Sequence, residues 1–117
     1  MYNPNIAIDR QNAILLFGDN PNVYYQILST FEELSLNTAI SDMAENVEKK
    51  DFAKIKSFSN VLMGGCSNIG AKQLHFCCLH IQEHYEKNNY QRMLDFYPLL
   101  IEAAIEFKKE SVRILAE

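Results

Sequence analysis

Apolar residues recur along this chain at helical spacing, and short polar stretches interrupt them. Ile6, Ala7, Ala13, Ile14 and Phe17 predict a short first helix over residues 6–17, ended by Gly18, with residues 1–5 as an irregular lead-in. Asp19-Asn20-Pro21 is a start signal, because Asn20 can cap a helix and Pro21 suits its first position. Val23, Ile27, Phe31 and Leu34 then make one stripe. Leu36, Ile40, Met43 and Val47 make another, slightly out of register with the first, so a bend near residues 34–37 or two consecutive helices is expected.

Lys49-Lys50-Asp51 breaks the stripe: lysines suit a helix C-terminus and Asp51 can cap the next helix. Ile55, Phe58, Leu62 and Cys66 form the apolar face of that helix, and Gly70 marks its junction with another that carries Leu74, Cys78, Ile81 and Tyr85. After the turn Lys87-Asn88-Asn89, with Asn89 as cap, a long helix is predicted from Tyr90 to Leu115. It bears two adjacent stripes, Leu94, Tyr97, Ile101 and Ile105 beside Met93, Phe96, Leu100 and Phe107, which suits a helix wedged between two neighbours. Pro98 removes the bond to Leu94 and predicts a kink. Tyr24, Tyr25, Phe96 and Phe107 are expected in or beside the core. No run of β-branched residues alternates as a strand would. The pattern predicts an all-α protein: an antiparallel four-helix bundle with a short additional N-terminal helix, as a single domain over residues 1–117.

Charge and composition narrow the function. The net charge of −4 opposes a nucleic-acid footprint. The apolar-rich stretch around residues 93–107 is interrupted by Asp95, Pro98, Glu102 and Glu106, so no membrane span is expected. The N-terminus lacks a charged region followed by a long apolar run, so no signal peptide is expected. Three cysteines, Cys66, Cys77 and Cys78, are an odd set with two adjacent and suggest no disulfide framework. A reducing, cytoplasmic location is therefore the expectation, or a nuclear one in a eukaryote.

The segment that carries candidate chemistry is residues 57–71, SFSNVLMGGCSNIGA. Asn60, Leu62, Met63, Gly64, Ile69, Gly70 and Ala71 fall without a gap on the signature of histidine-containing phosphotransfer (HPt) domains. That signature reads H-x-L-K-G, four variable residues, a large aliphatic residue, Gly and Ala. Leu74, Cys78 and Ile81 match its continuation. The chain resembles this family over almost its whole length, with two departures: Asn60 occupies the position of the phosphoaccepting histidine, and Met63 that of a lysine. The resemblance implies an HPt-like bundle and a role in phosphorelay (two-component) signalling. In the family, the histidine on an exposed helix face takes a phosphoryl group from a receiver-domain aspartate, the glycine one turn on leaves room, and the lysine offsets phosphate charge.

Wound at about 100° per residue, Asn60 lies roughly 140° from Ile55, on the outward face with Ala53, Lys56, Gly64 and Ser67, and Met63 lies at its edge. A carboxamide nitrogen has no lone pair available for phosphoryl transfer, so histidine chemistry cannot run from position 60. Gly64 and Gly65 each cost a helix about 1 kcal/mol relative to Ala, which suggests a close approach is being preserved. The expectation is a non-enzymatic module that binds receiver domains of response regulators or hybrid histidine kinases through Lys56, Asn60, Met63, Gly64 and Ser67. It would act as competitor, modulator or scaffold, as a monomer without cofactor. Two alternatives are an active phosphotransfer protein using His75, His80 or His84, expected to face water or a groove, and a helical adaptor unrelated to receivers. Cys77, His80 and His84 share helical spacing, but the only fourth ligand in prospect, Cys66, belongs to the core, so no metal site is expected.

Overall fold

Short polar links decide the architecture. The computed structural model describes residues 6–117, and the lead-in over residues 1–5 lies outside them. Helix α1 spans Arg10–Leu15, α2 Pro21–Thr30, α3 Asn37–Lys49, α4 Phe52–Ile69, α5 Lys72–Glu86 and α6 Tyr90–Leu115. No strand occurs among the described residues. Phe31–Leu36 is a π-helical segment that joins α2 to α3 in one continuous helical backbone. That long helix, α4, α5 and α6 pack as an antiparallel four-helix bundle, with α1 resting on α2 and α4. No helix among the described residues is long and apolar enough to cross a membrane.

The punctuation acts largely as read. Asn20 accepts from the Val23 N–H at 3.4 Å with Pro21 behind it, and Asp51 accepts from the Lys54 N–H at 3.2 Å. Lys50 closes α3 in the left-handed region at φ +56°. Asn89 precedes α6, but its side chain makes no capping bond; its neighbour Asn88 accepts instead from the Tyr90 hydroxyl at 3.0 Å. The helix α6 runs unbroken past Pro98, which sits at an exposed position.

Three expectations need correction. The first helix begins at Arg10, not at residue 6, because the preceding backbone is committed elsewhere: the Gln73 N–H donates to the Ile6 carbonyl at 3.1 Å, and the Asp9 N–H to the Gly70 carbonyl at 2.7 Å. The stripe of α2 is Tyr24, Leu28 and Phe31, with Val23 and Leu34 exposed. The next inward residue is Leu36, five positions beyond Phe31, as a π turn requires. The register change is therefore a widened turn and not a break. In α6 the fully inward stripe is Met93, Leu100 and Phe107, whereas Ile105 is exposed and Leu94, Tyr97 and Ile101 are half-buried.

The end of α4 is the corner where the N-terminal segment docks. Its carbonyls are satisfied by a fan of donors: Cys66 O accepts from the Ala71 N–H at 3.1 Å, and Ile69 O from the Tyr24 hydroxyl at 2.9 Å. Tyr24 is fully buried, and burial pushes its phenol up to about 12. Gly70 turns the chain at φ +75°, and a Cβ there would lie 2.5 Å from the Asp9 carbonyl oxygen. Both backbone conformation and close approach demand glycine. Gly70→Ala is expected to lower stability by about 1–3 kcal/mol in a denaturant titration; a loss below about 0.5 kcal/mol would show that Asp9 is not held against this corner.

Candidate functional site

The helix α4 divides into an inward and an outward face. Ile55, Ser59, Leu62, Cys66 and Ile69 are buried, with the Ser59 hydroxyl satisfied by the Lys56 carbonyl at 2.9 Å. Asn60, Gly64, Ser67 and Ala53 are exposed, as their wheel positions predict, and Lys56 and Met63 are half-buried at the margins. The Asn60 side chain makes no hydrogen bond among the described residues, and nothing lies within 4 Å of a Cβ built on Gly64. The Ser67 hydroxyl donates to the Met63 carbonyl at 3.2 Å, so its proton is held by its own helix. Met63 is engaged from the other side: its sulfur accepts from Gln82 Nε2 of α5 at 3.5 Å.

The two glycines of this segment do different work. Gly65 lies under Phe31, whose ring atom Cε1 would be 2.7 Å from an added Cβ. That ring meets Phe107 edge-on, with centroids 5.5 Å apart, which bounds it on that side. Gly65 is thus explained by packing inside the molecule. Gly64 is not, and its helix cost of about 1 kcal/mol relative to Ala has no internal compensation.

Beside Asn60 lies apolar surface that the hydrophobic pattern alone does not reveal. Val61 is 71% exposed and Leu34 is 68% exposed. Both border a groove between α3 and α4, which Phe58 and Thr38 also line. Val61 was within reach of the helical wheel, since it lies about 120° from the inward direction of Ile55. Leu34 was not, because its outward direction depends on the π turn.

The histidines do not all lie where expected. His75 is buried, at 8% exposure, and not on water or a groove; burial and then the nearby Lys72 charge hold its pKa below the ordinary value. His80 and His84 are half-buried around Phe96, with His80 stacked on that ring at 5.0 Å and His84 tilted against it at 5.5 Å. His80 Nδ1 lies 3.6 Å from Glu83. Cys66, Cys77 and Cys78 are all buried, and burial raises all three thiols. Among the described residues no group of three or more His, Cys, Asp or Glu side chains could hold a metal ion. Compared with family models, curated proteins and solved structures, the chain matches none.

Adjacent glycines with opposite surroundings predict opposite responses. Gly64→Ala is expected to stabilise by up to about 1 kcal/mol, since a better helix former enters open space. Gly65→Ala is expected to destabilise by about 1–3 kcal/mol through overpacking against Phe31. Thermal or denaturant unfolding of the two variants checks the signs, and equal signs would refute the assignment of Gly65 to packing.

Proposed function

We propose that this protein is a pseudo-phosphotransfer module: a bundle that engages the receiver domains of response regulators or hybrid histidine kinases without accepting phosphate. The observation that carries the reading is Gly64, a helix-interior glycine with open space where its side chain would be, one turn beyond exposed Asn60. An internal reason for that glycine is lacking, and an external body that approaches the helix closely would supply one. The order Asn60, Leu62, Met63, Gly64 and then Ile69, Gly70, Ala71 resembles the HPt signature; of these, 60 and 64 face outward, Met63 is half-buried, and 62, 69, 70 and 71 are buried.

Docking on this face rests on shape and apolar contact more than on charge. Met63 offers a polarisable, adaptable surface where a lysine would offer an ammonium. Leu34 and Val61 extend the apolar area beyond the segment itself. Lys56 remains the nearby cation. Asn60 is not a nucleophile, so the module works by occupying a receiver that an active shuttle would otherwise reach, in the same cellular compartment as that relay. Affinity should therefore depend only weakly on whether the receiver is phosphorylated.

A binding titration against a panel of receiver domains tests the proposal. Gly64→Gln places a long side chain beside Asn60 and is expected to weaken binding at least about tenfold, about 1.4 kcal/mol, in a protein whose fold is intact. Unchanged affinity would move the contact elsewhere, and binding to no receiver would favour a helical adaptor. The double change Asn60→His with Met63→Lys is expected to restore some acid-labile phosphorylation by a phosphorylated receiver. The parent chain should show none, and a stable phosphohistidine at His75, His80 or His84 would refute the proposal.

A further inference from the structure

The core takes up one side of α6, through Met93, Leu100 and Phe107, and leaves a second apolar strip on the flank of that helix. Leu94, Ile101, Ile105 and Val112 each lie about 100–140° around the helix from the inward residue that precedes them among those three. Ile105 is 49% exposed and Val112 is 63% exposed, while Leu94 and Ile101 are half-buried. From Leu94 to Val112 the strip runs about 27 Å. Together with Pro98 and Lys108 it occupies positions 94, 98, 101, 105, 108 and 112. These alternate steps of four and three, the spacing of a coiled-coil seam.

The strip is symmetric in composition about Ala103. Leu94 and Val112 lie nine residues to either side of it, and Ile101 and Ile105 lie two. Pro98 and Lys108, the two interruptions of the apolar run, lie five to either side. The charges beside the strip are antisymmetric about the same point. Asp95 and Glu102 precede Ala103, while Lys109 and Arg113 follow it, and all four are exposed on one flank. Asp95, Glu102 and Lys108 make no ion pair among the described residues. Lys109 and Arg113 pair with Glu106, Glu110 and Glu117 of their own helix, at a surface where such pairs count for little.

We propose that α6 pairs antiparallel with α6 of a second copy of this chain, about a two-fold axis beside Ala103. A closed two-fold pair requires one surface to complement itself, and this strip does so in both chemistry and charge. Leu94 meets Val112 of the second copy, and Ile101 meets Ile105. The two interruptions meet each other, with the Lys108 stem along the Pro98 ring. Pro98 has no N–H for the Leu94 carbonyl, and the Lys108 ammonium of the second copy arrives at that level to serve it. Asp95 comes level with position 111, between Lys109 and Arg113 of the second copy. Glu102 falls beside the axis near its own counterpart, the one repulsive contact, with Lys109 of the second copy about one and a half turns along. A parallel pair would set the charged flank against Tyr97 and Ala104 and gain no charge contact, so charge fixes the orientation. An unrelated partner would not require the strip to be symmetric. Four aliphatic side chains per copy make a small interface, so the pair is a reversible one. The sequence suggested a monomer; the flank of α6 supplies a reason for two copies. No residue of the strip belongs to α4, so the proposal is independent of the receiver reading.

Sedimentation of the whole chain between about 5 and 500 µM tests the pairing, with a dissociation constant below about 100 µM expected. Ile105→Glu, or Val112→Glu at a second exposed position, is expected to weaken association at least about tenfold with an unchanged circular-dichroism spectrum. Charge reversal decides the orientation. Asp95→Lys with Glu102→Lys makes the flank wholly cationic, and Lys109→Glu with Arg113→Glu makes it wholly anionic. Each double variant is expected to be monomeric alone. An equimolar mixture of the two should associate at least about tenfold more tightly than either. A monomer at every concentration would overturn the proposal and leave the strip to another partner. So would association that Ile105→Glu and Val112→Glu leave unchanged, or a mixture no tighter than its components. Gly64→Gln should leave the pairing intact, which keeps this test separate from the one on receivers.

Discussion

The ring of Phe31 sets how closely this bundle can close. It stands between α4 and α6, with bare Gly65 on one side and the edge of Phe107 on the other. The distance between two packed helices depends on the side chains at their contact, and a residue without one opposite a large ring lets them come closer. Here that residue is Gly65 of α4, and the helix opposite widens into a π turn at Phe31. The extra residue in the turn rotates the helix beyond it, so that Leu36 enters the core and Leu34 is turned out. Leu34 joins the apolar surface next to Asn60 through that turn, whereas Val61 is turned out by the winding of α4 itself. Ser111 of α6 reinforces the same region by donating to Glu32 at 3.3 Å.

Much of the fold was legible in the sequence because its signals are local. Asn20-Pro21, Asp51 and Gly70 mark helix ends through backbone requirements that hold wherever they occur, and the stripe from Ile55 through Cys66 needs only a wheel. The features that escaped depend on partners distant in the chain. Residues 6–9 look helical by composition, yet their backbone is bound to Gly70 and Gln73. The shift between Phe31 and Leu36 was visible as a register slip, but a bend, a break and a π turn look alike until Gly65 and Phe107 are in place. His75 has the exposed polar character of a typical histidine on paper, and is buried because α5 has neighbours on several sides.

The outward face of α4 was legible for the same reason as its core: a helix fixes both at once. Asn60, Gly64 and Ser67 fall where the wheel puts them. Their surroundings could not be read from the wheel. Ser67 turns its proton inward and Met63 is drawn toward Gln82, so the face is less polar than its composition suggests. Gly64 and Gly65, indistinguishable as letters, separate into a surface vacancy and an internal notch only once Phe31 is located.

The burial of all three thiols reaches beyond packing. Each sulfur sits inside the bundle, and low dielectric keeps it protonated at neutral pH. Oxidants and alkylating reagents act on thiolates they can reach; Cys66 and Cys78 are closed to them while the helices are shut, whereas Cys77 lines the groove between α5 and α6. Cys66 and Cys78 thereby become internal clocks: their rate of modification counts how often α4 and α5 part.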